Sequence, residues 1–143
     1  VTEHRGRWRD GWLVVPHDVI FRDLDAFGHV NNAVFLTFFE IARTELWFDV
    51  SKERDPHGIA FIVVRAECDF RRQVSMERIE ICVRFGELRT TSFDTLYEIR
   101  TSRGDLAATG KVVVVMFDWE KQVKVPISDE LRRRIVACSP AES

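Results

Sequence analysis

Asp23 and Asp25 stand two residues apart, just ahead of Gly28 and of a helical pattern that begins near Asn32. A helix N-terminus presents backbone N–H groups without intrahelical partners, and its dipole favours negative charge there. A carboxylate held a few residues upstream can therefore stand beside an oxyanion gathered on those amides. That is the minimum apparatus for acyl transfer: an acid residue and a site that polarises a carbonyl. From spacing alone the plainer reading is the stronger one, in which the two aspartates form an Asx-turn and cap the helix.

Other chemistries are excluded more directly. No Gly-x-Ser-x-Gly and no glycine-rich phosphate loop occurs, and the four histidines form no cluster in sequence. The three cysteines, Cys68, Cys82 and Cys138, include no Cys-x-x-Cys, and no His-x-His or His-Glu-x-x-His completes a zinc site. No metal and no cofactor is expected. Cys68 and Cys82 fall in apolar strand patterns, which predicts core packing and suits a reducing compartment. The net charge of −2, from 21 basic and 23 acidic residues, gives no cationic field for a nucleic acid. Arg71-Arg72 and Arg132-Arg133-Arg134 read as solvated faces, the second also meeting the negative end of its own helix. With no signal-peptide core and no apolar run of about 18 residues, a soluble cytoplasmic protein without a membrane segment is expected. The chemistry is left to carboxylates, backbone amides or binding alone.

The elements that must position these groups follow from periodicity. A chain of 143 residues fits one domain: an arm over 1–12, a core over about 13–120, and a short helix and tail over 121–143. The arm carries Trp8 and Trp12 but no clear period. A strand is predicted over about 13–22, at an edge or interrupted at Pro16, which lacks a ladder donor. From Asn32 to Val50, Phe35, Phe38, Phe39, Ala42 and Leu46 recur at three- and four-residue steps, while Thr37, Glu40, Arg43 and Thr44 leave only a narrow polar strip. Such a helix is buried, with Asn31 or Asn32 as its N-cap. Asp55-Pro56-His57-Gly58 is turn chemistry, and after it the period becomes two, giving four strands joined by short connections, as in an antiparallel meander. A last helix over about 128–137 is capped by Ser128. The fold class is α+β, a long buried helix wrapped by one antiparallel sheet.

Arg22-Asp23-x-Asp25-x-x-Gly28-His29-Val30-Asn31-Asn32-Ala33, followed by Phe35 and Phe39-Glu40-x-Ala42-Arg43, resembles the signature of the 4-hydroxybenzoyl-CoA thioesterase-like hot-dog family. A looser match runs through Asp69-Phe70-Arg71-Arg72-Gln73-Val74 and the later strands, so the resemblance spans residues 14–120 or so. It implies a single hot-dog domain that hydrolyses an acyl-CoA thioester, with an acyl-carrier protein as the other candidate substrate. By the same resemblance Asp25 is the catalytic acid, attacking the thioester carbonyl or activating a water, and the backbone N–H of Asn32 polarises the thioester oxygen. Gly28 belongs to the substrate-binding turn, and His29 has either a catalytic or a structural part. Glu40 is a reserve acid, since another hot-dog branch uses a Glu on this helix, although an ion pair with Arg43 is the plainer reading. Phe35, Phe38 and Phe61 are candidate acyl-pocket residues, and Arg89, Thr90 and Thr91 match a stretch that meets nucleotide phosphates in related enzymes. The family pattern further implies a homodimer or homotetramer with sites between protomers, a second copy contributing near residues 59–70. Two other readings stand open: an enoyl-thioester hydratase using Asp25 with His29, and a domain that binds acyl-CoA without turnover.

Overall fold

The computed structural model describes residues 6–52 and 60–138. It opens with a hairpin of β1 (Arg7–Arg9) and β2 (Trp12–Asp18), joined by Asp10-Gly11 with both φ angles positive, 52° and 81°. Asp-Gly is a strong short-range hairpin signal, and a reading of residues 1–12 as an arm without a period passes over it. The arm's aromatic residues do pack. Trp8 Nε1 donates to Asp49 Oδ2 at 3.0 Å, and the Arg84 guanidinium lies 4.5 Å from the Trp12 ring centre.

β2 runs through Pro16 and stops at Asp18, short of the expected residue 22. β1 covers only Trp12 to Val14, so the missing Pro16 donor falls where β2 has β4 (Arg78–Leu88) as its one neighbour. Beyond β2 the chain turns into a 3₁₀ turn at Phe21–Asp23 because the Asp23 carboxylate accepts the Ile20 N–H at 3.0 Å.

Helix α1 (Asn32–Ser51) starts on Asn31, whose side-chain oxygen accepts the Ala33 N–H at 2.9 Å, and ends at Lys52 in the left-handed region. Its buried face includes Phe35, Phe38, Phe39, Ala42, Leu46, Trp47 and Val50, and each large apolar side chain so buried contributes about 1.5–3 kcal/mol. Arg43 departs from the predicted polar strip. It is buried, donating from Nη1 to Tyr97 Oη at 3.0 Å, and Tyr97 Oη in turn shares a 2.7 Å hydrogen bond with Thr95. The spacing that puts Arg43 beside Glu40 is silent about Tyr97, which arrives from another strand. Phe39 stacks on the same tyrosine at 4.3 Å and lies over Gly110, where any Cβ would collide with its ring.

β3 (Phe61–Phe70), β5 (Ser92–Arg100), β6 (Leu106–Asp118), β7 (Val123–Lys124) and helix α2 (Asp129–Cys138) complete the described residues. Their antiparallel sheet is ordered β1-β2-β4-β5-β6-β3, with β7 on β6. The meander expected of all four later strands holds for β4, β5 and β6 alone. α1 carries the chain across the face of the sheet, so β3 enters on the margin opposite β2 and pairs with β6, Phe61 opposite Met116 and Phe70 opposite Ala108. The predicted 55–58 turn lies outside the described residues. Ser128 caps α2 through Oγ, accepting the Leu131 N–H at 3.1 Å. Two of the α2 arginines reach other parts of the chain: Arg132 donates to the Arg89 carbonyl at 2.7 Å, and Arg134 to the Val50 and Ser51 carbonyls, closing the C-terminus of α1. The α+β expectation of a long buried helix against an antiparallel sheet stands. No described helix is long and apolar enough to cross a membrane.

Candidate active site

The stretch between β2 and α1 is pinned from both sides. The Asp23 carbonyl accepts the Asn31 N–H at 2.9 Å, and the buried Val74 offers its carbonyl to the Val30 N–H at 2.8 Å. Between these ties Asp25 to His29 form a tight loop. Asp25 N–H donates to the His29 carbonyl at 2.8 Å, Gly28 N–H donates to the Asp25 carbonyl at 3.1 Å, and Gly28 takes φ +82°, which a Cβ would strain. Asp25 Oδ1 accepts the Phe27 N–H at 2.8 Å and, more weakly, the His29 N–H at 3.5 Å. This is the Asx-turn of the plainer reading, yet it occupies one carboxylate oxygen only. No hydrogen bond reaches Oδ2 from the described residues, so capping and chemistry do not compete.

At the helix start Asn31 satisfies two amides, Ala33 through its side chain and Val34 through its carbonyl at 2.9 Å. The Asn32 N–H finds no partner among the described residues. Asp25 and Asn32 both line a cleft of ≈ 290 Å³. Its apolar wall is made by Val30, Phe27, Phe35 and Phe70, and its rim by Arg71, Arg72 and Gln73. Phe35, only 2% exposed, meets Phe70 edge-on at 5.2 Å and Phe38 at 5.9 Å. Phe27, in contrast, is 86% exposed. The cleft thus sets a carboxylate oxygen and an unclaimed amide beside an aromatic wall.

A family model for the thioesterase-like superfamily matches residues 19–135. The chain belongs to this superfamily. It is a thioester hydrolase with the hot-dog fold. Among its relatives, the long-chain acyl-CoA thioesterase FadM of Escherichia coli K12 is 30% identical over 117 residues, covering 78% of this chain and 88% of FadM. The uncharacterized protein YsmA of Bacillus subtilis 168 is 27% identical over 119 residues, 82% of this chain and 81% of YsmA. A thioesterase from Thermus thermophilus, solved in complex with coenzyme A and Zn, superimposes with a TM-score of 0.83 at 33% identity over 91% of this chain and 96% of that one.

Within one copy of this thioesterase, the candidate residues divide. Asp25, Gly28, His29, Asn32 and Phe35 come together at the N-terminal end of α1. Phe38 lies behind Phe35, buried against His17. Phe61 sits elsewhere, edge-on to Trp47 at 5.1 Å. Arg89, Thr90 and Thr91 follow β4, whose opposite end pairs with Asp18; at about 3.3 Å per residue that strand places them roughly 30 Å away. Arg89 is also already engaged, with Asp94 at 2.8 Å, Glu87 at 3.3 Å and Ser92 Oγ at 3.2 Å. Glu40 is exposed on α1 and does not line the cleft. His29 is half-buried, and its Nδ1 is enclosed without a partner among the described residues.

Phe27, Phe70, Arg72 and Gln73 are cleft residues that sequence reasoning misses. Arg71-Arg72 reads as a solvated face, and Phe70 as one more residue in a strand alternation; the family-like stretch around them is the available signal. Two of the three thiols are poorly suited to act as nucleophiles. Burial, reinforced by neighbouring carboxylates, pushes both Cys68 and Cys82 up to about 11. Among the described residues no group of three or more metal-ligating side chains comes together.

Proposed function

We propose that this thioesterase hydrolyses an acyl-CoA to a free acid and the CoA thiol, with Asp25 as the reacting carboxylate. The observation that carries this reading is the pairing in one cleft of the uncommitted Asp25 Oδ2 with the unpartnered Asn32 N–H at a helix N-terminus. The substrate thioester oxygen would rest on that amide, where negative charge develops as the carbonyl is attacked. Asp25 then acts in one of two ways. As nucleophile it forms a mixed anhydride, the C–S bond breaks, the thiolate takes a proton, and water cleaves the anhydride. As general base it takes a proton from a water that attacks the carbonyl, and the thiolate leaves by the same bond cleavage. Hydrolysis in ¹⁸O-water under single-turnover conditions separates the two, because only the anhydride route can leave label on Asp25.

Coenzyme A as the thiol half is supported by the likeness to FadM, a long-chain acyl-CoA thioesterase, and to the Thermus thermophilus thioesterase solved with coenzyme A; an acyl-carrier protein is the other candidate. The narrower likeness to the 4-hydroxybenzoyl-CoA branch supports the role given to Asp25. The hydratase reading is weaker, since the pattern around Asp25 and His29 resembles the thioesterase more closely. Assembly into a homodimer, or a pair of them, is supported by β3, an edge strand that exposes Val63, Val64 and Phe70. The deciding experiment is a thiol-release assay over aryl-, short- and long-chain acyl-CoAs, run beside Asp25→Asn. Thiol release that survives Asp25→Asn at full rate would sink the catalytic assignment. Binding of acyl-CoA without any release would favour the non-catalytic domain.

A further inference from the structure

The Asp25 cleft does not end at its rim. A second hollow of ≈ 490 Å³ shares His29, Arg72 and Gln73 with it, and continues past Ser75 to Ser102 and Arg103. Its character is the reverse of the cleft's: hydroxyls, an amide and guanidinium groups in place of phenylalanines. The two carboxylates along it are turned to structural use. Glu77 accepts Ser102 N–H and Oγ, both at 2.8 Å, and Ser75 N–H at 3.2 Å. Asp105 stands 3.5 Å from Arg72. Arg103, exposed at the β5–β6 turn, makes no ion pair within 4 Å among the described residues, and neither does Arg71 at the cleft rim. At the Arg89 end the balance is different, because Arg89 already faces two carboxylates.

We propose that the thiol half of the substrate leaves the cleft along this trough, its amide-bearing arm beside Gln73 and Ser75 and its phosphates at Arg103. The inference rests on the acyl-CoA reading and adds to it where the long arm lies. A guanidinium without a fixed carboxylate partner is suited to phosphate, which it meets with two parallel N–H donors. An arm running along the trough also starts where it must, at the sulfur beside Asp25.

The test compares an acyl-CoA with the N-acetylcysteamine thioester of the same acid, which keeps the reacting bond and lacks the nucleotide. Arg103→Ala should lower the preference for the CoA thioester, as a ratio of kcat/KM values, about tenfold and chiefly through KM. Arg103→Lys should recover part of that preference, and added salt should erode it in the wild type more than in Arg103→Ala. An unchanged preference in Arg103→Ala, or a loss produced by Arg89→Gln in its place, overturns the trough. Turnover of neither thioester by the wild type defeats the acyl-thioester reading itself, and the trough with it. Wild-type turnover of both thioesters with an Arg103-independent ratio defeats the trough alone.

Discussion

The two ends of α1 have been given opposite treatments. At its C-terminal end carbonyls and charges are engaged, though the Trp47 Nε1–H lies buried without a partner among the described residues. Arg134 caps Val50 and Ser51, Lys52 N–H donates to Phe48, and Arg89 is held by Asp94, Glu87 and Ser92. Trp47, Phe61, Phe93 and Phe85 pack edge-on there. At the N-terminal end an amide is left without a partner, a carboxylate oxygen is unclaimed and Phe27 projects outward. The open groups lie on residues exposed to solvent, so leaving them without protein partners costs the fold little, whereas the sealed end carries packing and main-chain contacts. Changes at the open end should therefore alter turnover at constant stability, and changes at the sealed end the reverse.

The largest expected effect is at Asp25. Asp25→Asn should lower kcat by about a thousandfold yet leave the melting temperature nearly unchanged, because the amide oxygen can still accept the Phe27 N–H. Thiol-release traces beside thermal melts check both halves. Next comes the middle of the helix. Gly110→Ala should cost about 1–3 kcal/mol in urea unfolding, since the added methyl meets the Phe39 ring and the Glu67 carbonyl, with kcat per folded molecule kept. At the sealed end Arg134→Ala should cost about 1 kcal/mol through the lost carbonyl contacts. A drop in kcat at unchanged stability in that variant would break the division between the ends.

The smallest effect depends on pH. Partial desolvation works to raise the Glu77 pKa, but hydrogen bonds from Ser102 and Ser75 and the nearby Arg103 charge outweigh it, holding the carboxyl below its ordinary value. A depressed folded-state pKa stabilises the fold above the unfolded value and ceases to do so as pH falls through the folded one. Glu77→Gln should thus be less stable than wild type at neutral pH, with the gap closing below about pH 4. A gap that stays constant down to pH 3 would remove Glu77 from the support of the 71–77 segment.

What the sequence made legible follows the same division. The apolar spacing through Phe35, Phe39 and Leu46 announces α1, and Asn31 announces its start, because both signals are local. The turn residues of Asp25 and Gly28 are local too. Arg43 is not, since its partner Tyr97 comes from β5, and no spacing within α1 can announce it. The neighbour of β3 is likewise hidden: alternation tells which face is apolar but not which strand lies alongside. The cleft joins residues 25–35 to residues 70–73, so Phe70 and Arg72 became site candidates only once β3 was placed beside β6. Arg89 illustrates the converse, a residue matched by motif whose charge is balanced by carboxylates that the motif does not mention.

The strand cysteines carry one more consequence. The product of the proposed reaction is a free thiol, and free thiols trade partners with disulfides through thiolates. With Cys68 and Cys82 protonated until pH nears 11, neither supplies the attacking species in neutral solution. A disulfide made from the released thiol would therefore meet no ready thiolate at either position with which to form a mixed disulfide.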